Sequence, residues 1–192
     1  NSPYKTLKDL LDAAKAKPGT VRAATTGILS DDHLAILMVE EANPGVSFRI
    51  VHLLGVAAHH KETLGGNIDV SFDNVGGVAP HVRSGQVRAL AVMDTERSKF
   101  LPDVPTAKEL GMPNVISSST RGIAGPKGMD PAVVKKLQDI FVKAMADPDH
   151  TKRLEDAGLA IKPMVGEEYV KYFKDTHEKA RKYTEWAKKE KK

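Results

Sequence analysis

Leu7, Leu10, Leu11 and Ala14 recur at helical spacing along the first segment of the chain. Thr6 and Asp9, three residues apart, suit the reciprocal cap of a helix start, and Lys17, Pro18 and Gly19 close the run. Val21 to Thr25 reads as a buried strand. After a tight turn, Leu34, Leu37, Met38 and Ala42 return to helical spacing until Asn43, Pro44 and Gly45 stop it. Residues 47–53 read as a second strand, Val56 to Leu64 as a helix closed by Gly65 and Gly66, and Ile68 to Phe72 as a third strand. A helix is expected to start near Val78, and residues 85–93, "GQVRALAVM", read as a fourth, buried strand. Helix and strand alternate from residue 6 to 93. That order predicts an α/β fold, a mostly parallel sheet flanked by helices.

The pattern changes after Met93. Residues 100–113 hold three prolines around a short expected helix, Thr106 to Leu110, and residues 114–126 read as extended segments whose Ser/Thr-rich middle suits a crossing between lobes. Asp130 before Pro131 and Asp147 before Pro148 are two helix starts, the first carrying a stripe through Val133, Val134, Leu137, Ile140, Phe141, Ala144 and Met145. Gly158 ends the second helix. Tyr169, Tyr172, Phe173, Thr176, Ala180, Tyr183 and Ala187 then trace one face of a long terminal helix.

Composition adds little to this until the charge is located. The chain has 192 residues and a formal charge of +4. Residues 176–192 carry seven Lys/Arg and three Glu, so the whole surplus sits at the basic end of the terminal helix, where lysine complements the helix dipole. Aromatic residues are only 5% and do not alternate with the basic ones, which argues against a nucleic-acid partner. The chain has no cysteine, and that removes disulfides, thiolate zinc sites and thiol nucleophiles. No apolar run is long enough to span a bilayer.

In an open parallel sheet, ligands sit beyond the carboxyl ends of the strands. The turn after the first strand, "TTGILSDDHL", brings together the hydroxyls of Thr25, Thr26 and Ser30, the small Gly27 and the free amides of a helix start. Those features suit a carboxylate cradle, and capping of the same amides by Ser30 or Asp31 is the plainer account of them. Asp31 and Asp32 disfavour a heavily charged anion there. Asp73 and Asn74 follow the third strand and offer an acceptor and a mixed donor and acceptor, or else an ordinary turn bonded to its own backbone. His59 and His60 with Glu62 lack the spacing of a helical metal site and are expected to face solvent. His33 has no nucleophile at a recognised elbow and is expected to pack or cap. No Walker loop and no dinucleotide fingerprint occurs, so no catalytic constellation, metal or cofactor is expected.

Several of these segments resemble, in order, the substrate-binding proteins of tripartite tricarboxylate transporters, the Bug or TctC-type family. "NSPYKTLKDLLDAAKAKPG" is similar to the family's "SPYKTLADLLAYAKANPG", "TTGILSDDHLA" to its Gly-X-Gly-Ser-X-X-His-Leu turn, and "LGGNIDVSFDN" to "GGXVDXXFD". The block "GQVRALAVMDTERSKFLPDVPTAKELGMP" resembles "GKLRALAVTSXXRSXXLPDVPTXXE", and "SSSTRGIAGPKGMDPAVVKKL" resembles "SWXGLXAPAGTPXXVVXKL". Three departures stand out: Leu29 at the second glycine, "HLLG" at 52–55 for "PYKG", and Asp31 and Asp32 for small polar residues.

The resemblance implies a type II periplasmic binding fold of two lobes, N-terminally truncated here. Residues 1–114 would form most of the second lobe, and residues 115–192 the hinge crossover with C-terminal helices belonging partly to the first. It implies a periplasmic receptor, not an enzyme, that binds a small organic acid and delivers it to membrane transporter subunits. Thr25, Thr26, Gly27, Ser30 and Asp31 would line one wall, Asp73 and Asn74 a second, and Ser118, Ser119 and Thr120 the hinge side. The ligand-sensing domain of a regulator, or an enzyme on the same architecture, are the rival readings.

Overall fold

Thr6 starts the first helix as its position predicts. In the computed structural model, which describes residues 2–190 with side chains as far as Glu185, its hydroxyl accepts the Asp9 amide at 3.1 Å and the Asp9 carboxylate accepts the Thr6 amide at 2.9 Å. Helix α1 (Leu7–Ala16) follows and buries Leu7, Leu10 and Ala14.

Strand β1 (Arg22–Thr25) is central. Ala23, Ala24 and Thr25 are fully buried, and side chains this small let helices approach closely from both faces of a parallel sheet. Helix α2 (Asp31–Ala42), β2 (Arg49–His52), α3 (Val56–Leu64), β3 (Val70–Ser71) and α4 (Val75–Arg83) follow in alternation. The sheet order is β2-β1-β3 with all pairs parallel, Thr25 beside His52 and Ala24 beside Ser71. Since β2 and β3 flank β1 on opposite sides, the crossovers through α2 and α3 run in opposite directions. Right-handed connections then put the two helices on opposite faces.

Arg22 clamps the opposite, N-terminal edge of the sheet. Its guanidinium reaches both oxygens of Asp69 at 2.7 and 2.9 Å while its amide donates to the same carboxylate at 2.8 Å. Those hydrogen bonds from Arg22 hold the Asp69 carboxyl below its usual range.

Three expectations need correction. Helix α4 begins at Val75, three residues before Val78, because Gly76 and Gly77 are helical here and mask the start. Residues 85–93 form no ladder strand: Val92 alone bridges to Thr106, its amide donating to Pro105 at 2.9 Å and its carbonyl accepting Ala107 at 2.8 Å. A backbone whose partners lie in the Pro105 segment has none left to extend a β3 that is two residues long. Ala79, Val92, Leu101 and Val104 bury one another in that region instead. The expected helix at Thr106 to Leu110 is a single turn, capped reciprocally by Thr106 and Glu109. Arg97 braces that turn and pulls the Glu109 carboxyl down to about 2.

The chain divides into two compact units, one ending at Ser119 and one starting at Thr120. The second holds α5 (Pro131–Met145), α6 (Pro148–Asp156) and α7 (Gly166–Glu190). Asp130 caps α5 through the Ala132 amide at 2.7 Å, and Asp147 caps α6 through His150 at 3.0 Å. Along α7, Tyr183 is buried and Tyr169, Tyr172 and Ala180 are half-buried, whereas Phe173 and Thr176 face solvent against expectation. Ala187, the last position of that stripe, lies outside the described side chains. No helix among the described residues is long and apolar enough to cross a membrane.

Candidate functional site

Opposed crossovers create a switch point where the chain leaves β1 and β3 at the same edge. Two turns meet there, residues 26–30 after β1 and 72–74 after β3.

The first turn is organised by Asp32. Its buried carboxylate accepts the Thr26 amide at 2.6 Å, the Thr26 hydroxyl at 3.2 Å and the His33 amide at 3.2 Å. Ser30 is the N-cap of α2: its hydroxyl donates to the Gly27 carbonyl at 2.7 Å and accepts from the His33 amide at 3.3 Å. Thr25, fully buried, contacts the His52 ring at Nδ1 over 2.6 Å. The hydroxyls that the sequence offered to a ligand are thus committed within the protein. What this wall presents outward is backbone: the amides of Asp31 and Asp32 have no acceptor among the described residues. A side chain at Gly27 would enter open space, so that glycine is not demanded by crowding.

Leu29 carries strain in this turn, with a φ of 59° that a leucine rarely adopts. Its amide donates to His33 Nδ1 at 2.8 Å, which fixes that ring as the Nε2–H form. Burial, and the nearby His52, push the His33 pKa down. Replacing Leu29 by glycine is expected to raise stability by about 0.5–1 kcal/mol, the relief of left-handed strain less the added freedom of the unfolded chain. Urea denaturation of the two proteins measures this, and an unchanged midpoint would mean that the strain relieved is no larger than the freedom added to the unfolded chain.

The second turn is built differently. Asp73 accepts its neighbour's amide, from Asn74, at 2.7 Å on one oxygen and meets His60 Nε2 at 2.5 Å on the other. Asn74 is the N-cap of α4, yet its exposed side chain makes no capping bond, and the amides of Val75 and Gly76 have no acceptor among the described residues. His59 packs from α3 against β3. It is fully buried, its Nε2 meets the Ser71 hydroxyl at 2.8 Å, and its Nδ1 has no partner among the described residues. Burial lowers its pKa, while the charges of Asp73 and Asp32 oppose that.

Solvent exposure of His59 and His60 is therefore the wrong expectation. Both fall on the inward stripe of α3 with Thr63, and that helical periodicity was the available signal. Ser117, which sequence reasoning passed over, donates to the Asp31 carbonyl at 3.2 Å and brings the 115–119 segment to the start of α2. Ser118 and Ser119 follow it, exposed, and Thr120 opens the second unit. The turns spanning 26–34, 52–57 and 72–78 contain no Lys or Arg. Ile28, Leu54 and Val56 form exposed apolar positions on the first two of them. No group of His, Asp or Glu among the described residues is placed to hold a metal ion.

Residues 1–186 match the family described as Tripartite tricarboxylate transporter family receptor. The chain belongs to this family. Among relatives, a Cupriavidus necator protein named for its place in the gbd 5' region is 33% identical over 180 residues, covering 93% of this chain and 54% of its own length. Protein BugT of Bordetella pertussis is 33% identical over 131 residues, 68% of this chain and 40% of that protein. The chain thus spans about half the length of the curated relatives it matches. A TctC solute binding protein from Polaromonas, solved without ligand, superposes with a TM-score of 0.79 at 27% identity, over 98% of this chain and 63% of that one. An R. palustris protein solved with adipate shares the fold at 22% identity, TM-score 0.77, over 97% of this chain and 61% of its own. Tripartite tricarboxylate transporter receptors are binding proteins rather than enzymes, and their periplasmic-binding-protein fold, α/β with a parallel sheet flanked by helices, is the one seen here.

Proposed function

We propose that this chain holds the ligand of a periplasmic receptor, which captures a small organic acid and hands it to the membrane subunits of a tripartite tricarboxylate-type transporter. One observation carries the reading. Helices α2 and α4 start at the same switch point, and the amides of Asp31, Asp32, Val75 and Gly76 lack acceptors among the described residues. Two helix N-termini with unsatisfied donors favour a carboxylate without any fixed cation.

Thr25, Thr26, Gly27, Ser30 and Asp31 form the first wall in this reading, with the hydroxyls holding the turn in shape so that its amides point outward. Asp73 and Asn74 form the second, Asn74 through an uncommitted side-chain amide. Ser118, Ser119 and Thr120 supply the hinge side. Residues 1–114 act as one lobe and 115–192 as the hinge crossover with helices of the other. Ile28, Leu54 and Val56 would meet the carbon skeleton of the acid. The adipate named with one fold relative, and the malate named with another from Rhodopseudomonas palustris, are small carboxylates. Ligand binding would shift the receptor between open and closed populations, and the transporter would read the closed one.

Titration of the isotope-labelled chain with propionate, adipate, malate and citrate, followed by NMR, tests this. Saturable shifts are expected at the amides of Asp31, Asp32, Val75 and Gly76. Asn74→Ala is expected to weaken binding about fivefold to tenfold, the worth of one neutral hydrogen bond, with stability unchanged because the side chain caps nothing. Shifts confined to other parts of the chain would remove the site from this crevice.

A further inference from the structure

The proposed crevice carries more negative than positive charge before any ligand arrives. Asp32 is 9% exposed and the Asp73 side chain 7%, while none of the three turns at this edge has a Lys or Arg. A carboxylate ligand adds another negative charge at short range, in a setting where water screens poorly. Imidazole is the side chain present that can take up a compensating proton near neutral pH.

Geometry separates the four candidate rings. A second proton on His33 would displace the Leu29 amide from Nδ1. His59 is sealed from solvent, bonded to Ser71 and set next to Asp73, Asp32 and His60. His52 lies on β2, across β1 from the second wall. His60 differs from all three. Its Nε2 already faces the Asp73 carboxylate at 2.5 Å, its side chain is 20% exposed, and its ring borders the first turn of α4, since a Cβ at Gly77 would lie 3.5 Å from Cε1. The other titratable rings beside it among the described residues are His81 from α4, with ring centres 5.1 Å apart, and His59 from its own helix at 6.1 Å.

We infer that the crevice binds its carboxylate together with one proton, carried by His60 between Asp73 and the ligand. This rests on the carboxylate reading above. Nε2–H stays on Asp73, and Nδ1 gains a proton from solvent as the anion enters; the complex keeps the net charge of the free protein, and no other bond forms or breaks. One proton balances one negative charge, so the class of ligand selected is the singly charged carboxylate rather than the dianion.

The test is an NMR titration of the chain with propionate and with adipate at pH 6, 7 and 8, reading the Val75 and Gly76 amides and the His60 Cε1 signal. Uptake of one proton predicts propionate binding that weakens by up to tenfold per pH unit as pH rises, a His60 Cε1 signal that moves when propionate binds, and propionate preferred to adipate. His60→Gln, which still donates to Asp73, is expected to bind with a flat pH profile. Binding whose strength does not change with pH, a slope that survives in His60→Gln, or a preference for adipate would overturn the inference and leave the site standing. Absence of binding by either acid at every pH would overturn the carboxylate reading and this inference with it.

Discussion

Asp32→Ala is expected to lower the unfolding free energy by about 3 kcal/mol, the range for a buried, charged acceptor that leaves its donors stranded. The carboxylate receives the Thr26 amide and hydroxyl and the His33 amide, and water cannot replace it at a position only 9% exposed. Alanine would leave the Thr26 amide without an acceptor and release the turn that aims α2 at the switch point. Asp31→Ala is the control. Its side chain accepts no hydrogen bond among the described residues, so only its favourable position at the helix start is lost, under about 1 kcal/mol. Urea denaturation of the three proteins gives the comparison. Equal losses for the two alanine variants would show that charge at the helix start, and not the bonded turn, is what Asp32 supplies. The NMR amide shifts of residues 26–33 would report the same loss locally.

Asp31 and Asp32 are indistinguishable in the sequence, and the difference between them marks where sequence reading ends here. Periodicity and caps located α1, α2, α3 and α5, since Thr6, Ser30 and Asp130 act on residues at most three positions away. Local chemistry of that kind is written locally. The switch point was also legible, because strand and helix alternation fixes which turns share an edge. Which oxygen binds which amide depends on how a turn closes in three dimensions, so the sequence left the hydroxyls of Thr25 and Ser30 open between ligand contacts and caps, and the structure shows them as internal ties. The fourth strand failed for a similar reason. "RALAV" has strand composition, but strand formation needs a partner backbone, and Val92 finds it at Pro105 and Ala107. His59 and His60 were misjudged because residue type suggested solvent while their place on α3 dictated burial.

Buried neutral histidines make the fold acid-sensitive well above the range in which its carboxylates act. Burial is the first cause lowering both His33 and His59 below the ordinary value of 6.5, with His52 adding to it for His33 and Asp73 and Asp32 opposing it for His59. At these two rings the unfolded chain therefore binds more protons than the folded one once pH drops below 6.5. The stability these rings contribute is complete above that pH and is lost on acidification toward their folded values, at up to about 1.4 kcal/mol per pH unit for each ring. Asp69 and Glu109 are shifted down instead, by Arg22 and Arg97, so their contribution falls away only in stronger acid. Urea midpoints at pH 7.5 and 5.0 isolate the histidines. A clear drop is expected in the parent chain and a smaller one in His33→Gln, whose amide oxygen still accepts the Leu29 amide but takes no proton. A midpoint that holds between those two pH values would mean that His33 and His59 are as easily protonated folded as unfolded. Acid should thus weaken the empty fold through His33 and His59 while it tightens the carboxylate through His60. Because different rings are responsible, His60→Gln should abolish the second effect and leave the first intact.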